Sequence, residues 1–539
     1  MNKKKTAGLL IGLSFLIGLS SFKSDYFEIA KQIEIFTSLY KKVNMNYVEE
    51  VNPAELMNTA IDAMMKDLDP YTKFYDEQQV EDARINKGKG LNSIGARIEN
   101  RNGKIVFSKI YQNLPSDQAG LKVGDEIVEV DGVQVGKSQE NTMNLLKGAP
   151  GTKLKLKVSR NNNIKNISLK RKKIKFPAVP YFSITNNDIG YIKLNKFKRN
   201  ASKEVKEAVV DLKEKGAKKI ILDLRDNPGG FLSEAVKVAN IFIPQDVTIT
   251  FTKSVVEDYN DTYKTKNEAV DTEIPLVVLI NGKSASASEI VSGSIQDLDR
   301  GVIIGERSFG KGLVQRPMKL SYGTSTKITI SRYHTPSGRC IQALTYDHGK
   351  SMRNKTSEYT AFKTKNGRTV YDSGGIMPDI KTADKLKNKD FINALKNNFL
   401  IDEFATSYSY QHSEIDSLNF DLSKTDYKDF QKYVNTSDFK FETSTQKAFD
   451  KLKKAGKKEF SNALDKDIKN LEKSIKKQAD NLVENQQKWV EDAIEREIIR
   501  RYFYEKGVYR YVLQNEKDVQ LAIKVLNDLE RYQSILTPQ

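Results

Sequence analysis

Three short apolar segments, each followed by a loop that contains glycine, constrain the fold of this chain more than any other feature. They are IILDL at 220–224, PLVVLI at 275–280 and GVIIG at 301–305. All three are predicted strands, and predicted helices follow the first two. Largely apolar strands that alternate with helices are typical of a mainly parallel sheet. The sequence therefore predicts a multidomain α/β protein with its α/β core at residues 176–387.

Three further regions are predicted around this core. The 539 residues exceed the roughly 150 of one typical domain, so several domains are expected. Apolar residues at helical spacing predict an N-terminal helical region at 24–85. Short strands and glycine turns predict an inserted β-rich domain at 86–175. Beyond these, helical periodicity without strands predicts a C-terminal helical domain at 388–539.

Composition argues against several kinds of site. The chain has 88 Lys and Arg residues against 70 Asp and Glu, a net charge of +18. In the C-terminal region basic and acidic residues alternate, which favours a solvated helix surface over nucleic-acid binding. The single cysteine, Cys340, excludes an intramolecular disulfide and a cysteine-built zinc site. The only histidines are His334, His348 and His412, so a histidine-rich metal site is not expected.

A serine-rich segment follows the second predicted strand. NGKSASAS places Ser284, Ser286 and Ser288 between that strand and the helix after it. Ligands of α/β proteins collect at the carboxyl ends of strands, and free N–H groups at a helix start stabilise a developing oxyanion. Serine is also a good helix N-cap, so this segment alone favours capping serines.

A nucleophilic serine needs a base, and the three histidines lie in segments that are poorly placed to supply one. The remaining candidate is Lys311 in SFGKG, in the loop after the next strand. Neighbouring strands would bring the two loops to the same edge of the sheet. A lysine accepts a proton near neutral pH only where burial lowers the pKa of its amine. Taken alone, FGKG is more typical of a glycine turn with a solvated lysine.

An ordered series of motifs gives the chain a family resemblance. The series includes LDPYT (68–72), SIGARI (93–98), LDLRDNPGG (222–230), SASASEI (284–290), YHTPSGRCIQ (333–342) and GGIMPDI (374–380). In this order the motifs resemble those of the C-terminal processing peptidases, also called tail-specific proteases. The resemblance implies a crotonase-like α/β protease core and peptide hydrolysis through an acyl-enzyme, without a metal, nucleotide or other cofactor.

Site residues follow from the same resemblance. Ser286 matches the nucleophile of the family, Lys311 its general base and Gln315 the residue that orients the lysine. The oxyanion hole is implied at the backbone N–H groups of Ala287 and of Gly229 or Gly230. Three further residues match characteristic positions and are expected to support the site rather than take part in the chemistry: Asp297, Glu289 and Arg225.

The β-rich domain resembles a PDZ module. Such modules bind the C-terminus of a partner as an added strand and hold its carboxylate on backbone N–H groups of a loop. This loop is expected at Ser93, Ile94, Gly95 and Ala96, before an open strand edge beside a helix. The resemblance also implies protein or peptide substrates with apolar C-termini, and a PDZ domain that gates the protease.

Several alternatives stay open at this point. A catalytically silent PDZ scaffold or adaptor in the cell envelope is one, although the intact set of Ser286, Lys311 and Gln315 argues against it. A peptidoglycan-associated structural protein is another. The polar insertion at 343–373 is either a hairpin or a flexible flap. The region 388–539 widens a substrate platform, mediates self-association or binds an adaptor.

The first residues predict a compartment. Lys3, Lys4 and Lys5 precede an apolar run that ends at residue 22, which is the pattern of a secretory signal peptide. The run is shorter than the ~20 residues of a membrane-spanning helix, but an uncleaved inner-membrane anchor is the alternative. We therefore expect an exported protein of the bacterial periplasm or cell envelope.

Overall fold

A computed structural model describes residues 26–88, 94–186, 188–348, 350–382, 389–415, 420–460 and 463–538. These residues form two compact units. The first unit contains residues 26–75, 317–328 and 346–351, and the second contains the others. The predicted signal segment 1–22, and Ser93 of the predicted PDZ loop, lie outside the described residues. Within those ranges no helix has the length and apolar character to cross a membrane.

The first unit begins with two helices and a short strand: α1 (26–46), α2 (Pro53–Leu68) and β1 (Lys73–Tyr75). The side chain of Asn52 accepts hydrogen bonds from the first N–H groups of α2, which caps the helix. The predicted N-terminal helices are therefore confirmed. β1 was not predicted, since the sequence indicates a helical region at 24–85, and it pairs antiparallel with residues 325–327.

The motif LDPYT forms the turn between α2 and β1. Asp69 Oδ1 accepts hydrogen bonds from the N–H groups of Tyr71 and Thr72, at 2.7 and 2.8 Å. Its Oδ2 accepts the hydroxyl of Thr72 at 2.9 Å. Because Asp69 is buried, these bonds compensate for the loss of water around its carboxylate. This motif therefore has a structural role in the first unit.

The second unit begins with a helix and a β-rich domain. The elements are α3 (Glu77–Gly88), β2 (Ala96–Arg101), β3 (Lys104–Ile110), α4 (Pro115–Gln118), β4 (Glu126–Val130), β5 (Val133–Gln134), α5 (Gln139–Leu146), β6 (Lys153–Arg160) and β7 (Asn163–Lys170). The antiparallel sheet has the order β2-β3-β4-β6-β7, so β2 is an edge strand. Along β6, Leu154, Leu156 and Val158 alternate with lysines and enter the core. The predicted β-rich domain is confirmed.

The α/β core follows this domain. Its first elements are β8 (Tyr181–Thr185), β9 (Ile189–Lys193), α6 (Ala201–Glu214), β10 (Lys219–Asp223), α7 (Leu232–Ala239), β11 (Thr248–Lys253), β12 (Thr262–Lys264), β13 (Leu276–Ile280), α8 (Ala287–Asp297) and β14 (Val302–Gly305). The later strands are β15 (Leu313–Lys319), β16 (Ser325–His334), β17 (Leu344–Asp347), β18 (Lys350–Arg353), β19 (Ala361–Lys363), β20 (Thr369–Tyr371) and β21 (Ile380–Lys381). Those parts of β15 to β18 that fall within 317–328 and 346–351 belong to the first unit.

The central sheet has the order β21-β14-β13-β10-β9-β8. Neighbouring strands are parallel except β8, which is antiparallel to β9. The predicted mainly parallel sheet is therefore confirmed. The insertion at 343–373 contains two two-stranded sheets, β17 with β18 and β19 with β20. Of the two predicted alternatives, a hairpin or a flap, the structure therefore has hairpins.

Helices make up the C-terminal region. They are α9 (Lys389–Asn397), α10 (Leu400–Gln411), α11 (Lys424–Thr436), α12 (Ser444–Phe460), α13 (Asp465–Asp480), α14 (Leu482–Asn485), α15 (Gln487–Asn515), α16 (Lys517–Asn527) and α17 (Leu529–Leu536). Its predicted helical content is confirmed, whereas self-association or adaptor binding through it stays a prediction.

The last helices of this region complete the core. Alternate residues of a strand point to opposite faces of the sheet, so the central sheet has two apolar faces to cover. Ile220 and Val278 face the cluster that contains α6, α7 and α8. Ile221 and Val277 face the other cluster, which contains Val519, Ile523 and Leu526 of α16. The end of the chain therefore forms the second helical layer of the α/β core.

Candidate active site

Ser286 lies in a strained turn at the carboxyl end of β13. It directly precedes α8 and has φ 55° and ψ −113°, which is uncommon for a residue other than glycine. Such a conformation costs about 1–3 kcal/mol and persists only where the surrounding structure holds it. Ser286 is half-buried, whereas the flanking Ser284 and Ser288 are buried. Of the three serines, the turn therefore leaves only the middle one, Ser286, partly accessible to solvent.

The two flanking serines attach the turn to the loop after β10. The hydroxyl of Ser284 donates to the carbonyl of Leu224 at 2.8 Å, and that of Ser288 donates to the carbonyl of Asn227 at 2.9 Å. The N–H of Ala285 also donates to the Asn227 carbonyl, at 3.0 Å. Both flanking hydroxyls thus hold the two loops together, and neither caps α8, whose N-cap residue is Ser286.

The NPGG loop lies directly against the Ser286 turn. A Cβ atom on Gly229, which has φ 94°, would lie 2.6 Å from the Ala285 carbonyl oxygen and 2.9 Å from Ser286 Cβ. The N–H of Gly229 donates to the side chain of Asn227 at 2.9 Å. In the part of the chain that the structure describes, no acceptor is found for the N–H of Gly230 or of Ala287. Of the two glycines predicted as alternatives, Gly230 is therefore the one whose N–H is not used within the loop.

A buried carboxylate joins the Ser286 turn to the loop that carries Lys311. Glu289 Oε2 accepts the N–H groups of Ser286 and Lys311, at 2.7 and 2.9 Å. Its Oε1 accepts the N–H of Gly310 at 2.7 Å and the hydroxyl of Ser308 at 2.5 Å. Burial raises the pKa of Glu289, because the charged carboxylate loses water. The four hydrogen bonds favour the charged form and lower the pKa, but burial has the larger effect. The predicted supporting role of Glu289 thus corresponds to a link between the two loops.

Tyr333 makes a second link between the same loops. Its hydroxyl donates to the carbonyl of Lys311 at 2.6 Å and lies 3.3 Å from the carbonyl of Ser286. The ring is buried, and burial raises the pKa of the phenol well above its ordinary value. Sequence reasoning did not single out this residue. The only signal for it was its place at the start of the motif YHTPSGRCIQ.

Lys311 and Gln315 follow the third parallel strand. Lys311 is half-buried and directly follows Gly310, whose N–H is one of the donors to Glu289. Gln315 lies in β15, and its Nε2 donates to the hydroxyl of Thr329 in β16 at 3.3 Å. The structure thus brings the backbone segments of Ser286 and Lys311 together. Gln315 lies four residues after the lysine, in the strand that follows its loop.

The other two predicted supporting residues hold loops in place. Asp297, at the end of α8, accepts the guanidinium of Arg339 at 2.6 Å and the N–H of Ser337 at 3.0 Å. Arg225 begins the NPGG-containing loop and pairs with Asp223 at 2.7 Å. Both contacts are buried, and neither involves Ser286 or Lys311, which fits support rather than chemistry.

A buried charge cluster fixes the start of the NPGG-containing loop. Burial would raise the pKa of Asp223, but Arg225 and Lys193 hold it well below its usual range. Lys193 Nζ also donates to the carbonyl of Arg225 at 2.6 Å. On its outer side the Arg225 guanidinium lies 3.4 Å from Asp518 of α16. The C-terminal helices therefore contact the loop that carries Gly229 and Gly230.

The histidines of the second unit have partners elsewhere. His334 Nδ1 lies 2.9 Å from the carbonyl of Gly338, and its ring stacks on Phe251. His412 directly follows α10, and its ring stacks on that of Tyr408 in the same helix. Over the described ranges, no group of three or more His, Cys, Asp or Glu side chains is arranged to hold a metal ion.

The predicted PDZ loop leads into the edge strand β2. The carbonyl of Ile94 accepts the N–H and the hydroxyl of Ser116, at 2.8 and 2.7 Å. The carbonyl of Gly95 accepts the N–H of Tyr111 at 3.0 Å, and Ala96 begins β2. Helix α5 lies beside β2, so the expected open edge next to a helix is present.

Known protein families match the chain in the order of its domains: the β-rich domain, the α/β core and the C-terminal helices. Family models match at residues 92–170 (PDZ domain), 188–349 (peptidase family S41) and 391–526 (probable PDZ-protease, C-terminal helical domain). A probable CtpA-like serine protease of Staphylococcus haemolyticus is 32% identical over 397 residues, which cover 72% of this chain and 76% of that protein. A protein of the same description from Staphylococcus aureus is 33% identical over 352 residues, or 64% and 67% of the two chains. The solved photosystem II D1 C-terminal processing protease is 24% identical and covers 65% of this chain and 93% of its own, with a TM-score of 0.37.

Proposed function

This chain belongs to peptidase family S41 and is a serine protease of the C-terminal processing type, and we propose that it cleaves peptide bonds with Ser286 as nucleophile and Lys311 as general base. The observation that carries this assignment is the shared carboxylate of Glu289. Because its Oε2 accepts the N–H groups of both residues, the two loops are held in one arrangement. A Ser-Lys mechanism needs the serine and the lysine close together, and this link keeps their loops side by side.

The proposed reaction has two halves. The neutral amine of Lys311 takes the hydroxyl proton of Ser286 as the serine oxygen attacks the scissile carbonyl carbon. The resulting oxyanion accepts hydrogen bonds from the N–H groups of Ala287 and Gly230. When the tetrahedral intermediate collapses, the C–N bond breaks and the Lys311 ammonium protonates the leaving amine. A water molecule then attacks the Ser286 ester, with Lys311 again the base, and releases the new carboxylate.

Gln315 is proposed to orient the amine of Lys311. Its position near the start of β15, four residues after the lysine, supports this role, because β15 directly continues the loop that carries Lys311. We expect Gln315→Ala to lower kcat less than Lys311→Ala does, because the base itself is retained.

The proposed assignment is tested by cleavage of a model protein that carries an apolar C-terminal tail. We expect Ser286→Ala and Lys311→Ala to abolish cleavage while circular dichroism shows a retained fold. Lys283→Ala is the matched control, because Lys283 is an exposed lysine close in sequence to Ser286. Cleavage by Ser286→Ala at the wild-type rate would refute the assignment.

The PDZ domain is proposed to bind the apolar C-terminal tails of protein substrates. The edge strand β2 supports this, since PDZ domains bind a C-terminus as an added strand. The carboxylate is proposed to lie at the N–H groups of the loop that includes Ile94, Gly95 and Ala96. Replacement of the free C-terminus of a substrate by an amide is expected to slow its cleavage. Equal cleavage of the two forms would contradict this recognition mode.

Export is proposed from residues 1–22 alone. The basic start and apolar run support a signal peptide or an anchor, with the mature protein in the periplasm or cell envelope. Fractionation of cells, with N-terminal sequencing of the recovered protein, tests this. An uncleaved protein in the cytosolic fraction would overturn it.

A further inference from the structure

The side chain of Gln139 bridges helix α5 to the edge of strand β2. Its Oε1 accepts a hydrogen bond from the N–H of Asn100, and its Nε2 donates to the carbonyl of Ile98, both at 3.2 Å. Gln139 is the first residue of α5, and Ser138 caps that helix. The amide therefore occupies two backbone groups on the strand edge where a substrate tail is proposed to add.

The register of β2 shows which backbone groups face that edge. In an antiparallel pair, the N–H and C=O of alternate residues point away from the neighbouring strand. The carbonyl of Gly95 accepts the N–H of Tyr111, the residue that follows β3, so Gly95 faces β3. The next residue, Ala96, therefore directs its own N–H and C=O away from β3, towards the open edge. Ile98 and Asn100 continue this set, and their bonds to Gln139 agree with it.

A tail that enters from the loop therefore meets a limited number of partners. It reaches the N–H and C=O of Ala96 first, and then the N–H of Ile98. The next two groups, the carbonyl of Ile98 and the N–H of Asn100, already hold the amide of Gln139. Because neighbouring outward residues are two positions apart, only about three tail residues find free partners.

A second set of bonds keeps the bridge in position. The side-chain Nδ2 of Asn100 donates to the carbonyl of Lys137 at 2.6 Å. Its Oδ1 accepts the N–H of Gly103 at 2.9 Å, in the turn after β2. The segment before α5 is thus tied to the far end of β2, which holds Gln139 over the same two groups.

Resting on the proposed recognition of C-terminal tails, we propose that Gln139 closes the far end of the PDZ groove and sets the length of tail that is read. The occupant of the groove is a protein C-terminus of which about the last three residues pair with β2. Residues further from the terminus add little affinity, so the substrates need only a short accessible end.

The test is a binding experiment in the full chain carrying Ser286→Ala, so that peptides are not cleaved. Fluorescence anisotropy measures the Kd of a labelled tripeptide and of a labelled octapeptide with the same apolar last three residues. We expect the two peptides to bind within about twofold of each other. With Gln139→Ala added, the octapeptide is expected to bind about three- to tenfold tighter, because two backbone groups become available, and the tripeptide is expected not to change.

Gln134→Ala is the matched control, because Gln134 is an exposed glutamine of the same domain whose side chain donates to Glu129 and not to β2 among the described residues. It is expected to leave both Kd values unchanged. If the ratio of the tripeptide Kd to the octapeptide Kd is the same with Gln139 and with Gln139→Ala, the role of Gln139 is overturned but tail recognition is not. Absence of binding, or equal binding of amidated peptides, would overturn tail recognition itself and this proposal with it.

Discussion

Ser286 and Lys311 donate their backbone N–H groups to the same carboxylate oxygen of Glu289, at 2.7 and 2.9 Å. The two residues lie in different loops, one after β13 and one after β14. Tyr333 joins the same loops on a second side, through their carbonyl groups. The relative position of the proposed nucleophile and base therefore depends on two buried side chains that take no part in the proposed chemistry.

Glu289→Gln is expected to lower kcat by about a hundredfold with little change in KM. A misplacement of about 1 Å in catalytic geometry is enough for such a loss. The carboxylate of Glu289 accepts hydrogen bonds only from donors, so the NH₂ of a glutamine would meet at least one N–H or O–H group that cannot accept from it. At least one loop must then shift. Steady-state kinetics measures this. Glu207→Gln, at an exposed position of α6, is the control, and wild-type kcat in Glu289→Gln would refute the expected link.

Tyr333→Phe is expected to lower kcat about tenfold and the free energy of unfolding by ~1–3 kcal/mol, because the carbonyl of Lys311 loses the hydrogen bond from the Tyr333 hydroxyl. The ring itself stays, so packing is retained. Urea unfolding and initial rates measure the two effects. Tyr322→Phe is the control because Tyr322 is 88% exposed. Equal behaviour of the two variants would show that the hydroxyl does not hold the lysine loop.

Gly229→Ala is expected to reduce kcat/KM by at least about a hundredfold, since the new Cβ would meet backbone atoms of the Ser286 turn. Its positive φ adds strain for any other residue. Gly136→Ala is the control, because no atom lies within 4 Å of the position of its Cβ. Activity near wild type in Gly229→Ala would mean that the two loops do not need their close approach.

Leu526→Ala is expected to lower the free energy of unfolding by ~2–5 kcal/mol, because it opens a cavity between α16 and the central sheet. Leu529→Ala, at a residue that is 49% exposed, is expected to cost far less. Denaturant unfolding of the whole chain measures both. Equal stability of the two variants would contradict the assignment of α16 as a layer of the core.

Acid is expected to destabilise the protein through Asp223. The pKa of this carboxyl is lower in the folded state than in the unfolded state, so its contribution is complete above the unfolded value of about 4. The contribution is then lost as the pH falls from that value towards the folded pKa. Urea unfolding at a series of pH values should therefore show a weaker pH dependence in Asp223→Asn. Asp246→Asn, at an exposed aspartate, should keep the wild-type dependence.

Local patterns in the sequence predicted much of the fold. Apolar strands such as 275–280 and the helix after Ser286 are encoded by neighbouring residues, and the structure has them close to the predicted bounds. β1 was missed because its pairing partner, residues 325–327, is far along the chain. The sequence also did not predict that α16 covers the central sheet, since an amphipathic pattern shows that a face is buried but not what covers it.

The candidate site divides in the same way. The positions of Ser286 and Lys311 followed from motifs in consecutive strand loops, and the ordered series of motifs identified the family. Tyr333 was not singled out, because its hydroxyl acts on backbone groups that only the folded chain brings together. The preference for Gly230 over Gly229 also needed the structure, since it depends on the bond from Gly229 to the Asn227 side chain.

Covalent labelling by a fluorophosphonate, read by intact mass and peptide mapping, tests the proposed roles of Ser286 and Lys311 directly. We expect one adduct, on Ser286, in the wild-type protein and in Lys283→Ala. We expect no adduct in Ser286→Ala and strongly slowed labelling in Lys311→Ala, because the serine then lacks its base. An adduct on another residue, or undiminished labelling of Lys311→Ala, would contradict the Ser286–Lys311 mechanism.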